Sequence, residues 1–105
     1  MKKEMKMKEL TYDEIVAKLR RGEKLDEYEI RTIVWESHQV YEMEGEEHRW
    51  HREMFTVIDL DGELWGIDWM RGLTERVESE YLDQPYRVKK IEKVVTRTEV
   101  TYDRV

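Results

Sequence analysis

A chain of 105 residues with a formal net charge of −6 is long enough for one domain with a modest core. Charged residues make up 42% of the chain, but it also contains four Trp and six Tyr. Disordered chains are poor in such aromatic residues, so we expect a folded protein. The absence of cysteine excludes disulfides and thiolate metal sites. The acidic balance argues against broad nucleic-acid binding, which needs a basic face.

The first nine residues are basic, and no apolar run follows them. We therefore expect neither a signal peptide nor a membrane span, and we predict a cytoplasmic protein. Residues 1–9 are predicted to be a flexible N-terminus, and residues 1–105 a single domain. The sequence contains no phosphate loop, nucleotide fingerprint or zinc-finger spacing. Its motifs therefore indicate neither an enzyme nor a cofactor.

Two segments near the N-terminus begin with the same helix-start pattern. Thr11 and Asp26 are predicted N-caps, and Glu14 and Glu29 complete a capping box with them. The first helix is predicted to end at Gly22. The apolar positions predicted to be buried are Ile15, Val16, Leu19, Ile30, Ile33 and Val34. The second helix is acidic, which argues against a helix-turn-helix DNA reader.

Residues 49–70 carry the strongest hairpin signal in the chain. Asp61 and Gly62 are the pair typical of a two-residue turn, and apolar-rich runs flank them. Because the length of the turn fixes the register, the cross-strand partners can be predicted. They are Leu60 with Glu63, Ile58 with Trp65, Thr56 with Ile67, Met54 with Trp69, and Arg52 with Arg71.

The remaining segments complete the predicted fold. Residues 39–43 are predicted to form a strand, with a turn at 44–47. Residues 73–84 are an acidic stretch that could be a loop or a short helix opened by Thr74, and Pro85 bars continuation of a helix. The tail alternates like a half-buried strand, with Val94, Thr96, Thr98, Val100 and Tyr102 on one side and Arg97, Glu99 and Thr101 on the other. The predicted class is α+β, with two short N-terminal helices packed on an antiparallel sheet of about four strands.

Arg52 and Arg71 are predicted to lie directly opposite each other, where like charges repel. The pair therefore requires a negative charge nearby, and it is the most specific chemical indication in the sequence. Trp50 and Trp69 are predicted on the same face, which would place two guanidinium groups between two indoles. Guanidinium groups bind phosphate or carboxylate bidentately, and Trp can stack on a base. The candidate ligand-binding residues are therefore Trp50, Arg52, Trp69 and Arg71, for a nucleotide-type anion. The alternative is that carboxylates of the next segment neutralise both arginines, namely Glu75, Glu78, Glu80 and Asp83.

Two further constellations have ordinary structural explanations. Asp68, on the other face of the hairpin, could be a general base, but such carboxylates are more often salt-bridged or at a sheet rim. His48 and His51 lie near several glutamates, namely Glu44, Glu46 and Glu47. Residues three apart in a strand point to opposite faces, so we interpret both histidines as solvated. We predict no metal site and no catalytic residue.

One block of the sequence resembles a known family. It consists of Arg49-Trp50, Trp65-Gly66-Ile67-Asp68-Trp69 and Gly72-Leu73-Thr74-Glu75, followed by Glu78, Glu80 and Gln84. The block is similar to a family of small proteins from phages and prophages of Gram-positive bacteria, over roughly residues 27–105. The resemblance implies a phage accessory protein. Small inhibitors of host defence are common in that class, among them anti-CRISPR proteins and sponges that trap nucleotide-type immune signals.

The leading hypothesis is a non-enzymatic protein in the cytoplasm of the infected host that sequesters a small anionic, nucleotide-type immune signal. We expect a homo-oligomer, because so small a domain has little concave surface of its own. The alternative is an acidic, anti-CRISPR-like inhibitor that blocks the basic nucleic-acid channel of a host defence nuclease. The observation behind this alternative is the acidic charge of the chain, which includes two groups of glutamates, namely Glu42, Glu44, Glu46 and Glu47, and Glu75, Glu78 and Glu80. Neither hypothesis involves a membrane or direct nucleic-acid binding.

Overall fold

A computed structural model describes residues 10–94 and 98–105 of the chain. The elements are α1 (Tyr12–Arg20), α2 (Glu27–Glu36), β1 (His38–Glu47), β2 (His51–Leu60), β3 (Glu63–Gly72), β4 (Tyr86–Val94) and β5 (Thr98–Arg104). The strands form a curled antiparallel sheet in the order β1-β2-β3-β4-β5. The predicted α+β class is confirmed, with five strands where about four were predicted. The flexible N-terminus predicted at residues 1–9 lies outside the described residues.

Both helices begin as the sequence predicts. The Thr11 hydroxyl accepts from the Glu14 N–H at 3.3 Å, and the Asp26 carboxylate accepts from the Glu29 N–H at 2.8 Å. Each glutamate carboxylate accepts the cap N–H in return, so both capping boxes are complete. Gly22, with a φ of 78°, follows the end of α1. Within the described residues, no helix is long and apolar enough to span a membrane.

One core joins the helices to the sheet. The buried side chains of the helical region are Ile15, Leu19, Leu25, Ile30, Ile33 and Val34. They pack with Met54, Ile58, Leu60, Ile67, Trp69 and Tyr81. Val16, also predicted to be buried, is partly exposed and packs against this cluster. Burial of each aliphatic side chain stabilises the folded state by about 1.5–3 kcal/mol. The contacts between the helices and the sheet therefore make the largest contribution to stability.

The hairpin register is confirmed for every predicted pair of β2 and β3. Asp61 has a φ of 54° and Gly62 a φ of 90°, and a type I′ turn requires positive values at both positions. Arg20 of α1 supports the turn, since its Nη2 donates to the Leu60 carbonyl at 3.2 Å. The turn therefore fixes both the register and the position of α1 over the hairpin.

The predicted turn at residues 44–47 is wrong. β1 continues to Glu47, and the chain reverses at residues 48–50. A register shift between Glu44 and Glu47 interrupts the pairing of β1 with β2. The glycine and glutamates there are typical of a turn, but pairing with β2 overrides that local preference.

The strand predicted in the tail is present at Thr98–Arg104, but Val94, which was predicted in the same strand, ends β4. β4 and β5 are antiparallel partners, with Val94 opposite Thr98. The predicted positions Thr96 and Arg97 lie outside the described residues. Alternation with a period of two continues through a change of chain direction, so it did not reveal two strands.

The segment between β3 and β4 contains turns but no helix. Met70 and Glu80 exchange both of their backbone hydrogen bonds, at 2.9 and 2.8 Å. The Gln84 side chain accepts from the Leu25 N–H and donates to the Leu25 carbonyl, both at 2.9 Å. This segment, which we call the β3–β4 loop, is therefore attached both to β3 and to the connection between the helices.

The second face of the sheet carries a cluster of aromatic rings. The Tyr41 ring lies 6.2 Å from that of Phe55 and 4.8 Å from that of Tyr102, and Phe55 stacks on Tyr86 at 6.5 Å. Tyr41 belongs to β1 and Tyr102 to β5, the two edges of the sheet. Their contact shows that the sheet curls until its outer strands approach each other.

Candidate functional site

Glu44 lies between the two opposed arginines. Its carboxylate oxygens are 3.8 Å from Nε of Arg52 and 3.2 Å from Nη1 of Arg71. Glu47 forms a second ion pair with Arg52. The carboxylates of Glu44 and Glu47 therefore supply the negative charge that the two opposed arginines require. It comes from β1 and not from the β3–β4 loop, where the sequence alternative placed it.

The two tryptophans predicted beside these arginines do not share a site. Trp69 is 3% exposed, stacks on Tyr81 at 5.0 Å and donates its indole N–H to Thr56 at 2.9 Å. Trp50 precedes β2, is 52% exposed and lies 5.0 Å from the guanidinium group of Arg49. Trp69 therefore belongs to the core and has no free face for a ligand, whereas the Trp50 ring is accessible.

Two adjoining grooves lie where the β3–β4 loop meets α2. The Trp50 groove has a volume of about 610 Å³, and its lining includes Glu27, Trp50, His51, Arg76, Glu78 and Ser79. The Trp35 groove has a volume of about 340 Å³ and is lined by Arg31, Trp35, Glu78, Ser79 and Tyr81. Glu78 and Ser79 line both, so the two grooves adjoin at these residues.

Trp35 is fixed in place although it is 55% exposed. Its indole N–H donates to the Tyr81 hydroxyl at 2.7 Å, and its ring meets Trp69 edge-on at 5.7 Å. The Tyr81 backbone N–H in turn donates to the Glu27 carboxylate at 3.1 Å. These contacts hold the Trp35 ring in one orientation and leave much of its surface free.

The loop side of the grooves is held by hydrogen bonds between backbone and side-chain atoms. The Gly72 N–H donates to the Ser79 hydroxyl at 3.1 Å, and Nε2 of His51 lies 3.0 Å from the Glu78 carbonyl oxygen. A Cβ atom on Gly72 would lie 1.7 Å from the Val77 carbonyl oxygen. Position 72 therefore requires glycine, because the backbones of β3 and the loop approach too closely for any side chain.

Two arginines in the grooves have guanidinium groups with no partner within the described part of the chain. Four other arginines are paired with carboxylates, namely Arg20, Arg21, Arg52 and Arg71. Three lie over aromatic rings, namely Arg49, Arg87 and Arg104. The Arg76 backbone N–H donates to the Thr74 hydroxyl at 3.3 Å, but no ion pair, hydrogen bond or ring contact joins the guanidinium group of Arg31 or Arg76 to the residues described. Such a guanidinium group beside a half-exposed indole is suited to a planar anion.

Asp68 has a structural explanation. It accepts a hydrogen bond from the Tyr86 hydroxyl at 2.9 Å. Burial raises the pKa of Tyr86 to about 12, and the hydrogen bond to the Asp68 carboxylate adds to the rise. The contact ties β3 to β4 on the aromatic face, away from both grooves.

The histidines point to different partners. Nε2 of His48 lies 2.7 Å from the Glu53 carboxylate, and this hydrogen bond raises the pKa of His48. His51 faces the β3–β4 loop. Among the described residues, Glu46, His48 and Glu53 have ligand atoms within 4.8 Å of one another and could hold a metal ion. All three are exposed, and exposed acidic groups often lie this close together without one.

Sequence reasoning identified Trp50 as a candidate binding residue but missed Arg31, Trp35 and Arg76. Arg31 and Trp35 are four residues apart on α2, so they share its outer face, away from the buried stripe of Ile30, Ile33 and Val34. That spacing was a usable signal. Arg76 had no comparable signal, because the conformation of the β3–β4 loop depends on contacts distant in sequence.

Comparisons with known proteins give no further guidance on this surface. No protein-family model, curated protein or solved structure matches the chain.

Proposed function

We propose that the protein is a non-enzymatic binding protein that sequesters a small anionic ligand of nucleotide type in the Trp50 and Trp35 grooves. The observation that carries the proposal is that each of two adjoining grooves is lined by a half-exposed indole and an arginine whose guanidinium group has no partner among the described residues. Indoles stack on bases, and guanidinium groups bind phosphate bidentately. The chemistry is the one expected from the sequence, but of the four predicted residues only Trp50 remains, and Arg31, Trp35 and Arg76 take the place of the others.

The size of the grooves supports this ligand class. Sites for small molecules have volumes of about 300–1,000 Å³, and both grooves lie within that range. The net charge of −6 repels long polyanions, whereas a small anion can contact Arg31 or Arg76 directly and keep away from the carboxylates of Glu27, Glu78 and Glu80, which also line the grooves. This combination favours a free nucleotide over a nucleic acid.

The sequence resemblance to phage proteins supplies the biological context of the proposal. In that context the ligand is an immune signal of the infected host, and binding it counters antiviral defence. We further propose a homo-oligomer, because a second copy would cover the half-exposed indoles around a bound ligand. Light scattering of the purified protein, with and without ligand, measures its mass against the 13.0 kDa of one chain.

The direct test is isothermal titration calorimetry with cyclic dinucleotides and isomers of cyclic ADP-ribose. We expect at least one of them to bind, and Trp50→Ala or Arg76→Ala to weaken its binding about ten-fold or more. Arg21→Ala is the matched control, because Arg21 is exposed and belongs to neither groove. The proposal fails if no compound of the panel binds at millimolar concentration.

A second candidate function is the inhibition of a host defence protein by direct docking. The observation that favours it is the outer face of α2, where Tyr28 is 45% and Trp35 55% exposed. Tyr, Trp and Arg dominate the energetics of protein interfaces. A pull-down from host lysate distinguishes the two candidates, since an inhibitor retains a protein that Tyr28→Ala releases, and a sponge retains none.

A further inference from the structure

Glu78 is an exposed residue that lines both grooves. Its carbonyl oxygen lies 3.0 Å from Nε2 of His51, and the next residue, Ser79, accepts from the Gly72 N–H at 3.1 Å. The backbone at this point is therefore fixed. No ion pair or hydrogen bond joins the Glu78 carboxylate to the described part of the chain.

A free carboxylate has no obvious place in a site for an anion, because it repels phosphate. Its repulsion is avoided if the phosphates lie at Arg31 or Arg76 and Glu78 faces an uncharged, hydrogen-bond-donating part of the ligand. In a nucleotide that part is the edge of the base, next to the stacking surface. Trp50 and Trp35, one in each groove with Glu78, provide such surfaces.

We propose, on the basis of the function proposed above, that Glu78 makes the site selective for guanine. The Watson–Crick edge of guanine carries two adjacent donors, the N1–H and the exocyclic amino group, which match the two oxygens of one carboxylate. Adenine and cytosine each place an acceptor nitrogen beside their amino group. Uracil places a carbonyl on both sides of its N–H. All three set a lone pair against the Glu78 carboxylate.

The size of the preference follows from the hydrogen bonds involved. A good bidentate contact between a side chain and a base discriminates against the wrong base by about five-fold to more than a hundred-fold. We therefore expect GMP to bind at least about ten-fold more tightly than AMP. Inosine monophosphate keeps the N1–H but lacks the amino group, so its affinity falls between the two.

The test is calorimetric titration of the wild-type protein, Glu78→Gln and Glu75→Gln with GMP, AMP and inosine monophosphate. Glu78→Gln removes one acceptor oxygen and the charge, so GMP should lose its advantage over AMP. Glu75→Gln removes the same charge from an exposed residue of the same loop, and it should leave the preference unchanged. This control separates a specific contact from a general change in charge.

Each outcome has a distinct meaning. A preference for GMP that disappears in Glu78→Gln and persists in Glu75→Gln supports the inference. Equal binding of GMP and AMP by the wild-type protein overturns the inference and leaves the function proposed above intact. An unchanged preference in Glu78→Gln also overturns it. If none of these nucleotides binds, the inference is overturned, and if the cyclic compounds also fail, the proposed function falls as well.

Discussion

Glu44 and Arg71 form an ion pair across β2, with 3.2 Å between Oε2 and Nη1, and the same carboxylate faces Arg52. Replacing Glu44 by Gln removes part of the negative charge that compensates the positive charges of Arg52 and Arg71. We expect the free energy of unfolding to fall by about 1 kcal/mol, since surface ion pairs contribute about that much. Urea denaturation at low and high salt measures it, and salt should reduce the loss.

Glu42→Gln is the control for this experiment, because Glu42 is exposed on the same strand and forms no ion pair with the described residues. It should change the stability by less than about 0.5 kcal/mol. Equal losses in both variants, or a loss in Glu44→Gln that salt does not affect, would show that Glu44 does not compensate the arginines.

The tryptophans divide into a core residue and a groove residue. Trp69→Phe removes the indole hydrogen bond to Thr56 and part of the packing on Tyr81, so we expect a loss of about 1–3 kcal/mol. Trp50→Phe should stay within about 0.5 kcal/mol. Chemical denaturation of both variants tests this difference, and similar losses would contradict the burial of Trp69.

Gly72 determines how closely the β3–β4 loop approaches the sheet. Gly72→Ala places a methyl group against the Val77 carbonyl, which is backbone and cannot rotate away. We expect a destabilisation of about 1–3 kcal/mol, as for overpacked cores, together with weaker ligand binding. Thermal unfolding and calorimetry measure both effects. Glu75→Ala, an exposed change in the same loop, should alter neither, and a stable Gly72→Ala with full affinity would refute this role.

Tyr86 should make stability depend on pH in the alkaline range. Its pKa is raised to about 12 in the folded protein, so between about pH 10 and pH 12 the unfolded chain loses this proton first. Stability is therefore retained below pH 10 and lost as the pH rises towards 12. Urea denaturation across this range should show a smaller decline in Tyr86→Phe than in wild type, and identical profiles would contradict the assignment.

His48 should remain protonated to a higher pH than an isolated histidine. The hydrogen bond to Glu53 raises its pKa, so Glu53→Gln should lower it. Stability from this pair is present at acidic pH and lost as the pH rises through the folded-state pKa. NMR titration of the His48 ring measures the shift, and a titration that Glu53→Gln leaves unchanged would show that the pair does not form in solution.

The features predicted correctly from the sequence are local ones. The caps at Thr11 and Asp26 depend on residues within one helical turn, and the β2–β3 register depends on the two residues of the turn. In both cases a few adjacent side chains decide the backbone conformation. Tertiary contacts do not change the conformation that these local sequences favour.

The features that were missed depend on residues far apart in sequence. Glu44 reaches the arginines because β1 continues past the point where its glycine indicated a turn. The loop side of the grooves is held in part by the contact of His51 with the Glu78 carbonyl, 27 residues apart in sequence. No periodicity or motif in the sequence predicts either contact. The sequence therefore indicated neither the partner of the two arginines nor the presence of the grooves.

The strand order β1-β2-β3-β4-β5 also has a consequence for folding kinetics. Every strand pairs with its neighbour in the chain, so most of the sheet forms by closing short loops, which favours fast folding. The contact of Gln84 with Leu25, 59 residues apart, carries a larger entropic cost of closure. We expect the sheet to assemble before this contact forms. Attachment of the β3–β4 loop to the connection between the helices would then be a late step of folding.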